Sequence, residues 1–216
     1  MCPIQKDPRV LYTSEYPNIR TQNNSTNKKT VTLTFDDGPS EHLLQILSIL
    51  EEEHVPAVFF WQGKLVDSSS PWEEVLKHGH QIGSHSTNHD HLSRKTFEEQ
   101  LKDIKESVEK IESITTERVV YFRPPYGEFN EDTIQIAEDL DLQIIMWRIA
   151  AMDWELEDNH DQLIANVVDH LEDGAIILLH EFQQTVHALP RLISEIRERG
   201  YIFSLIDDKR GWDKTQ

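Results

Sequence analysis

After residue 30 the chain alternates between two hydrophobic periods. Short, nearly continuous apolar runs occur at 31–35, 56–62, 81–85, 119–123, 143–149, 175–180 and 201–206. Runs of that length predict strands buried on both faces. Between them the spacing becomes helical. Phe97, Leu101, Ile104, Val108 and Ile111 step by four and three, laying one apolar stripe along a segment otherwise full of Glu and Lys. Leu163/Ile164, Val167/Val168 and Leu171 repeat the pattern, as do Val186, Leu189, Leu192/Ile193 and Ile196. End signals agree with the spacing: Ser40 precedes the first helix, Asn130 is followed by Glu131 and Asp132, and Gly200 ends the last helix after Arg197 and Arg199. Pro190 conflicts with its stripe, because an interior proline loses a hydrogen bond and clashes with the preceding turn. That helix is expected to begin after Thr185 or to kink.

Seven strand–helix units in succession predict an α/β domain with a parallel sheet, its right-handed crossovers closing it into a barrel or winding it open on both faces. The organisation expected is a polar lead-in at 1–30, one domain over 31–208 and a tail at 209–216. The lead-in is rich in Asn, Thr and Ser from Thr21 to Thr30, with a short strand expected at Val10-Leu11-Tyr12. It lacks the apolar core of a signal peptide and reads as a spacer after a lost signal or anchor. Export would place the protein outside the cell or at the cell wall; without it, the cytoplasm is expected.

In β/α barrels the loops after the strands open on one face and collect the chemistry there. Asp36-Asp37 follow the first strand, His85 and His89 the third, Arg123-Pro124-Pro125-Tyr126-Gly127 the fourth, and Asp153-Trp154 the fifth, while His180 ends the sixth. Side-by-side carboxylates disfavour each other's ionisation, so a cation or a role as base is indicated, although Asp before Gly-Pro is also an ordinary turn former. Histidines four apart can aim both imidazoles at one cation. With an Asp they make a ligand set that leaves positions open for water and substrate. His78, His80 and His91 are assigned to the surface or to supporting positions. His180 closes a buried apolar run, where a titratable ring is costly without partners. Arg123 is held by the stiff Pro-Pro that follows and can orient a carboxylate or form a structural ion pair. Trp154 is a core aromatic or a platform for a sugar ring.

Composition narrows the partners. With 216 residues, 38% of them apolar, and a net charge of −18, the chain can bury a core but offers no basic surface for nucleic acid or anionic membranes. The single cysteine, Cys2, excludes an intramolecular disulfide and a Cys-based zinc knuckle. No apolar run reaches transmembrane length. A monomer is expected.

Thr34-Phe35-Asp36-Asp37-Gly38-Pro39, His85-Ser86-Thr87-Asn88-His89, Arg123-Pro124-Pro125-Tyr126-Gly127, Asp153-Trp154 and Leu178-Leu179-His180 resemble the five ordered motifs of NodB-type polysaccharide deacetylases, carbohydrate esterase family four. The likeness spans about residues 30–207. It implies a distorted (β/α)7-type barrel and metal-dependent removal of N-acetyl groups from N-acetylglucosamine residues of peptidoglycan or chitin-type oligomers, releasing acetate. It implies Asp36 as general base, Asp37, His85 and His89 as metal ligands, Arg123 orienting Asp36, the Tyr126 N–H at the oxyanion, and His180 as general acid paired with Asp153. Trp154, Leu178 and Pro125 would contact substrate. Zn²⁺ is the first expectation, with Co²⁺, Mn²⁺ or Ni²⁺ as alternatives. Two positions depart from the pattern: Ala150 stands where the family often has an acidic residue, and Glu181 where Asp is common. The competing readings are a catalytically impaired glycan-binding homologue and an amidohydrolase of small amides.

Overall fold

Parallel strands alternate with helices along the computed structural model, which describes residues 7–23 and 28–207. Cys2 and the tail at 209–216 lie outside those residues. The order is β1 (Thr30–Gly38), α1 (Leu43–Glu52), β2 (Ala57–Trp61), α2 (Trp72–Lys77), β3 (Gln81–Ser84), α3 (Phe97–Thr115), β4 (Tyr121–Phe122) and α4 (Glu131–Asp139). It continues through β5 (Gln143–Ile144), β6 (Ile149–Ala150), α5 (His160–Val168), β7 (Ala175–His180), α6 (Gln183–Glu198) and β8 (Ile202–Phe203). The strands form one curled sheet in the order β5-β4-β3-β2-β1-β7-β6, and β8 pairs with Thr30 and Val31 at the start of β1. This is the distorted (β/α) barrel expected, with the helices packed outside.

Strand alternation divides the core in two. Val31, Leu33 and Phe35 of β1 and Phe59 of β2 face the helices, within a cluster that includes Ile46, Leu50, Ile104 and Leu192. Val58, Phe60, Tyr121, Ile145 and Ile176 form a smaller cluster inside the barrel. Thr32, Thr34 and Asp36 share the other face of β1, so a polar file runs up the inside of that strand. Its top is Asp36.

The apolar run at 143–149 is two strands, not one. β5 pairs with β4, β6 pairs with β7, and Ile145 N–H still bonds Phe122 while Arg148 N–H already bonds Ile176. The chain therefore crosses from one edge of the sheet to the other, and the unpaired edges need partners. The lead-in supplies them. Arg20 N–H donates to Ile144 O (3.1 Å), Met146 N–H to Arg20 O (2.7 Å) and Tyr12 N–H to Arg148 O (3.1 Å). Residues 7–23 are thus barrel wall rather than a free spacer. The strand expected at Val10–Tyr12 is a 3₁₀ turn, Pro8–Val10, followed by a single antiparallel bridge from Leu11 to Ile149.

Helix ends correct three further expectations. Ser40 lies two residues before the N-cap, His42, and accepts the His42 N–H on its hydroxyl. Helix α5 stops at Val168, short of Leu171. Helix α6 begins at Gln183 and runs through Pro190. An interior proline costs about 3 kcal/mol. Leu189, Leu192, Ile193 and Ile196 are fully buried, and at roughly 1.5–3 kcal/mol each they outweigh it. Asn130 and Gly200 act as expected: Asn130 caps α4 reciprocally with Thr133, and Gly200 adopts a left-handed φ of 80° just past α6.

Candidate active site

At the top of β1 a bulge separates two adjacent carboxylates. Asp36 keeps the strand register, paired with Phe60 on one side and His180 on the other, whereas the pairing with β2 slips between Asp36 and Gly38. Asp37 takes the extra position in a left-handed conformation, φ 69°. A bulge re-aims the side chain it carries. Residues that would point to opposite faces of a regular strand here open on the same cavity. The Glu181 carboxylate occupies the space a Cβ on Gly38 would take, so a larger residue there would require Glu181 to move.

His85 follows β3 and is buried. Its Nδ1–H donates to Arg123 O at 2.7 Å, which commits Nε2 to the other side, 3.7 Å from Asp37 Oδ1. His89 Nε2 lies 3.1 Å from the same oxygen. The four-residue spacing is not helical: Ser86 and His89 both have left-handed φ (61° and 62°), and the Ser86 hydroxyl accepts the His89 N–H. Donor atoms of Asp37, His85 and His89 all lie within 4.8 Å of one another. Two imidazole nitrogens and one carboxylate oxygen suit Zn²⁺ and its divalent neighbours, and the committed Nδ1 of His85 is the outer support such a ligand uses. The residues fit a divalent cation. Burial acts to raise the Asp37 pKa, but the His89 contact and the charges of His85, His180 and His89 hold it well below the carboxylate range. Desolvation pushes His85 down.

Arg123 is fully enclosed inside the barrel. It donates through Nη1 to Asp36 Oδ1 (2.6 Å) and Thr34 Oγ1 (2.8 Å), through Nε to Ile145 O (3.0 Å) and through Nη2 to Met146 O (3.2 Å). The break between β5 and β6 thus has a use: it turns two carbonyls inward to hold the guanidinium. Phe60 lies under it at 4.2 Å. Asp36 Oδ2 is left 3.8 Å from His85 Nε2.

His180, at the end of β7, is held by Asp153 at two atoms: its N–H meets Oδ2 at 2.6 Å and its Nδ1–H meets Oδ1 at 2.7 Å. Thr185 donates to Oδ2 at 2.7 Å. Burial favours the neutral ring, yet the Asp153 charge and hydrogen bond, with Asp36 and Asp37 behind, raise the His180 pKa to about 9. Its Nε2 points back to Asp37 Oδ2, 3.9 Å away. Phe182 stacks on its face (5.0 Å, 9°) and Trp154 meets it edge-on (5.2 Å).

Asp36, Asp37, His85, His89 and His180 share a cavity of about 370 Å³ whose remaining wall is Pro124, Tyr126, Gly127, Trp147, Trp154, Leu178 and Phe182. Tyr126 lines it in a left-handed turn, φ 59°. Pro125 is buried and does not line the cavity, whereas Pro124 does. Trp147, Phe182 and Gln62, whose amide bonds Asp37 Oδ1 at 2.8 Å, were not singled out by sequence. Gln62 directly follows β2 and Phe182 lies two residues past His180, the signal that could have found them, whereas Trp147 sits inside the 143–149 run that reads as strand. His91 stacks on Tyr126 (4.1 Å), and His80 lies under β2 accepting the Ala57 N–H, its pKa lowered by burial to about 4. A larger depression of about 850 Å³, between Arg9, α5 and α6, holds none of the site residues.

The sequence profile of the polysaccharide deacetylase family matches residues 23–145. The chain belongs to this family. It is 33% identical over 207 residues to the peptidoglycan-N-acetylglucosamine deacetylase PgdA of Listeria monocytogenes, covering 94% of this chain and 42% of that one. The chain therefore spans less than half the length of that relative. A peptidoglycan-N-acetylglucosamine deacetylase of Bacillus cereus is 31% identical over 211 residues, 94% of each protein. Among solved structures, a mutant of a carbohydrate esterase family four pseudoenzyme with restored enzymatic activity superimposes at a TM-score of 0.79 and 31% identity, covering 87% of this chain and 69% of that one.

Proposed function

We propose that this polysaccharide deacetylase hydrolyses the acetamide of N-acetylglucosamine residues in peptidoglycan or chitin-type oligomers, releasing acetate and leaving an amine. One observation carries the reading: an Arg-held carboxylate and an Asp-held imidazole flank the Asp37–His85–His89 triad, Asp36 beside His85 and His180 beside Asp37, on a single cavity. A divalent cation held by the triad, Zn²⁺ first, would polarise the acetyl carbonyl and acidify water. Asp36, its other oxygen tied to Arg123, takes the proton of the attacking water. The Tyr126 N–H meets the oxyanion of the tetrahedral intermediate, an interaction worth roughly 2.7–4 kcal/mol at comparable donors. His180 donates its proton to the amine nitrogen as the C–N bond breaks, and Asp153 keeps it charged for that step. Leu178 faces the acetyl methyl, and Trp154, Trp147 and Phe182 wall the sugar.

Acetate release from peptidoglycan, chitooligosaccharides and acetylated xylan, with metal added back, tests the reading. Asp36→Asn and His180→Ala should bind metal and lose turnover; full activity in both would sink it. Ala150 motivates one rival. It is buried on β6, and Asp36 is the one carboxylate paired with Arg123 among the described residues. A glycan-binding homologue without turnover would bind the sugar yet release no acetate with Zn²⁺, Co²⁺ or Mn²⁺ present.

A further inference from the structure

The loop that carries His85 and His89 is held from outside the site by one buried carboxylate on α3. Asp103 is 3% exposed and accepts the Thr87 N–H (2.7 Å), the Asn88 N–H (3.3 Å) and the Asn88 side-chain amide (3.1 Å). Its own carbonyl accepts the Thr87 hydroxyl at 2.7 Å. The loop's carbonyls are taken on the other side: Ser86 O by Gly63 N–H, Thr87 O by Lys64 N–H, and Asn88 O by Lys64 Nζ. Gly63 in turn packs so closely on α3 that a Cβ would come within 2.8 Å of Ser107 Cα. Lys95 bridges the carboxylate to Asp90, the residue after His89, at 2.9 and 2.7 Å.

The loop needs this support because it stores strain. Ser86 and His89 are both non-glycine residues in the left-handed region, where an L side chain crowds the following carbonyl. Such a conformation persists only where its surroundings over-determine it. Without Asp103, three donors of the loop lose their acceptor, and the turn that brings both imidazoles to Asp37 competes with relaxed alternatives.

We propose that Asp103 is a positioning residue for the metal triad, shaping the His85–His89 loop before a cation arrives, with Lys95 as its counter-ion. The role rests on the metal reading given above. Outer supports of metal ligands typically contribute 10–100-fold in affinity, and pre-forming a site raises affinity by reducing what binding must order.

The test is titration of the metal-free full chain with Zn²⁺ by calorimetry, and with Co²⁺ by visible absorption. Asp103→Asn should bind Zn²⁺ about tenfold or more weakly and show an altered Co²⁺ spectrum, with acetate release recovering as metal is raised. Asn88→Ala removes one side-chain hydrogen bond to the Asp103 carboxylate and should weaken Zn²⁺ binding about threefold to tenfold; it decides the question if Asp103→Asn does not fold. Unchanged affinity in the folded variants, or a lower metal-free melting temperature with wild-type Zn²⁺ affinity and Co²⁺ spectrum, overturns the positioning role alone. A wild-type chain that binds neither ion overturns the metal reading and this role with it.

Discussion

Asp36 and Trp154 line one cavity but belong to two different kinds of structure. The floor of the site, Asp36, Arg123, His85 and Asp153, is at most 3% exposed, and its side chains are tied to named partners. The rim is open: Tyr126 is 55% and Trp154 38% exposed, held by ring contacts rather than by ion pairs. On the proposed reading the floor places charge where bonds break, and burial makes each misplacement costly. The rim would offer apolar faces to a sugar in that reading, and such faces tolerate changes of partner.

Breaking the floor should have the largest effects. Asp36→Asn is expected to lower kcat by about 10²–10⁴-fold, the usual contribution of a positioned base, with Zn²⁺ binding retained by calorimetry. It also leaves Arg123 buried without its counter-charge. Breaking a buried pair by removing one partner costs about 3–5 kcal/mol, so Asp36→Asn and Arg123→Met should each unfold at lower urea than wild type. The double variant should regain much of that stability and none of the activity.

Asp153→Asn sharpens the comparison through pH. With its pKa raised to about 9, His180 stays protonated below that pH and activity should fall as pH rises through it. The stability contributed by the His180–Asp153 pair has the same sign: complete below about pH 6.5, the unperturbed histidine value, and lost as pH rises through about 9. Burial alone would favour the neutral ring, so removing the Asp153 charge should move the alkaline limb of the rate profile to lower pH.

Chelation separates floor from rim by a different route. EDTA should reduce acetate release to background and lower the melting temperature, both restored by Zn²⁺. At a hundred times the dissociation constant, bound metal stabilises by about 2.7 kcal/mol. The smallest effects belong to the rim. Trp154→Ala and Phe182→Ala should raise KM for oligomers several-fold with kcat less affected, and the exposed Trp154 change should move stability by about 0.5 kcal/mol. A rim variant that abolishes kcat would show that the two regions are not separable.

Much of this division was legible in the chain. The period-2 and period-3.6 runs determined the strand–helix alternation, because burial of apolar faces dictates those spacings. The polar residues after the strands marked the end of the sheet where the site lies, since parallel strands all end on one face. What residue order could not reveal was direction. Whether Asp37 joins Asp36 on one face depends on a bulge, a backbone choice stabilised by β2 and by Gly38 against Glu181. The run at 143–149 looked like one strand because apolar content says nothing about which neighbour a strand pairs with. Its division was decided by Arg123 claiming two carbonyls and by Arg20 filling the seam. Asp103 carried no signal, since a carboxylate among the charges of α3 reads as solvated until the loop it holds folds over it. The sequence by itself determined the elements and the chemistry available at their ends. Tertiary structure decided which donors meet, because hydrogen bonds between residues far apart in the chain follow from three-dimensional distance and not from spacing.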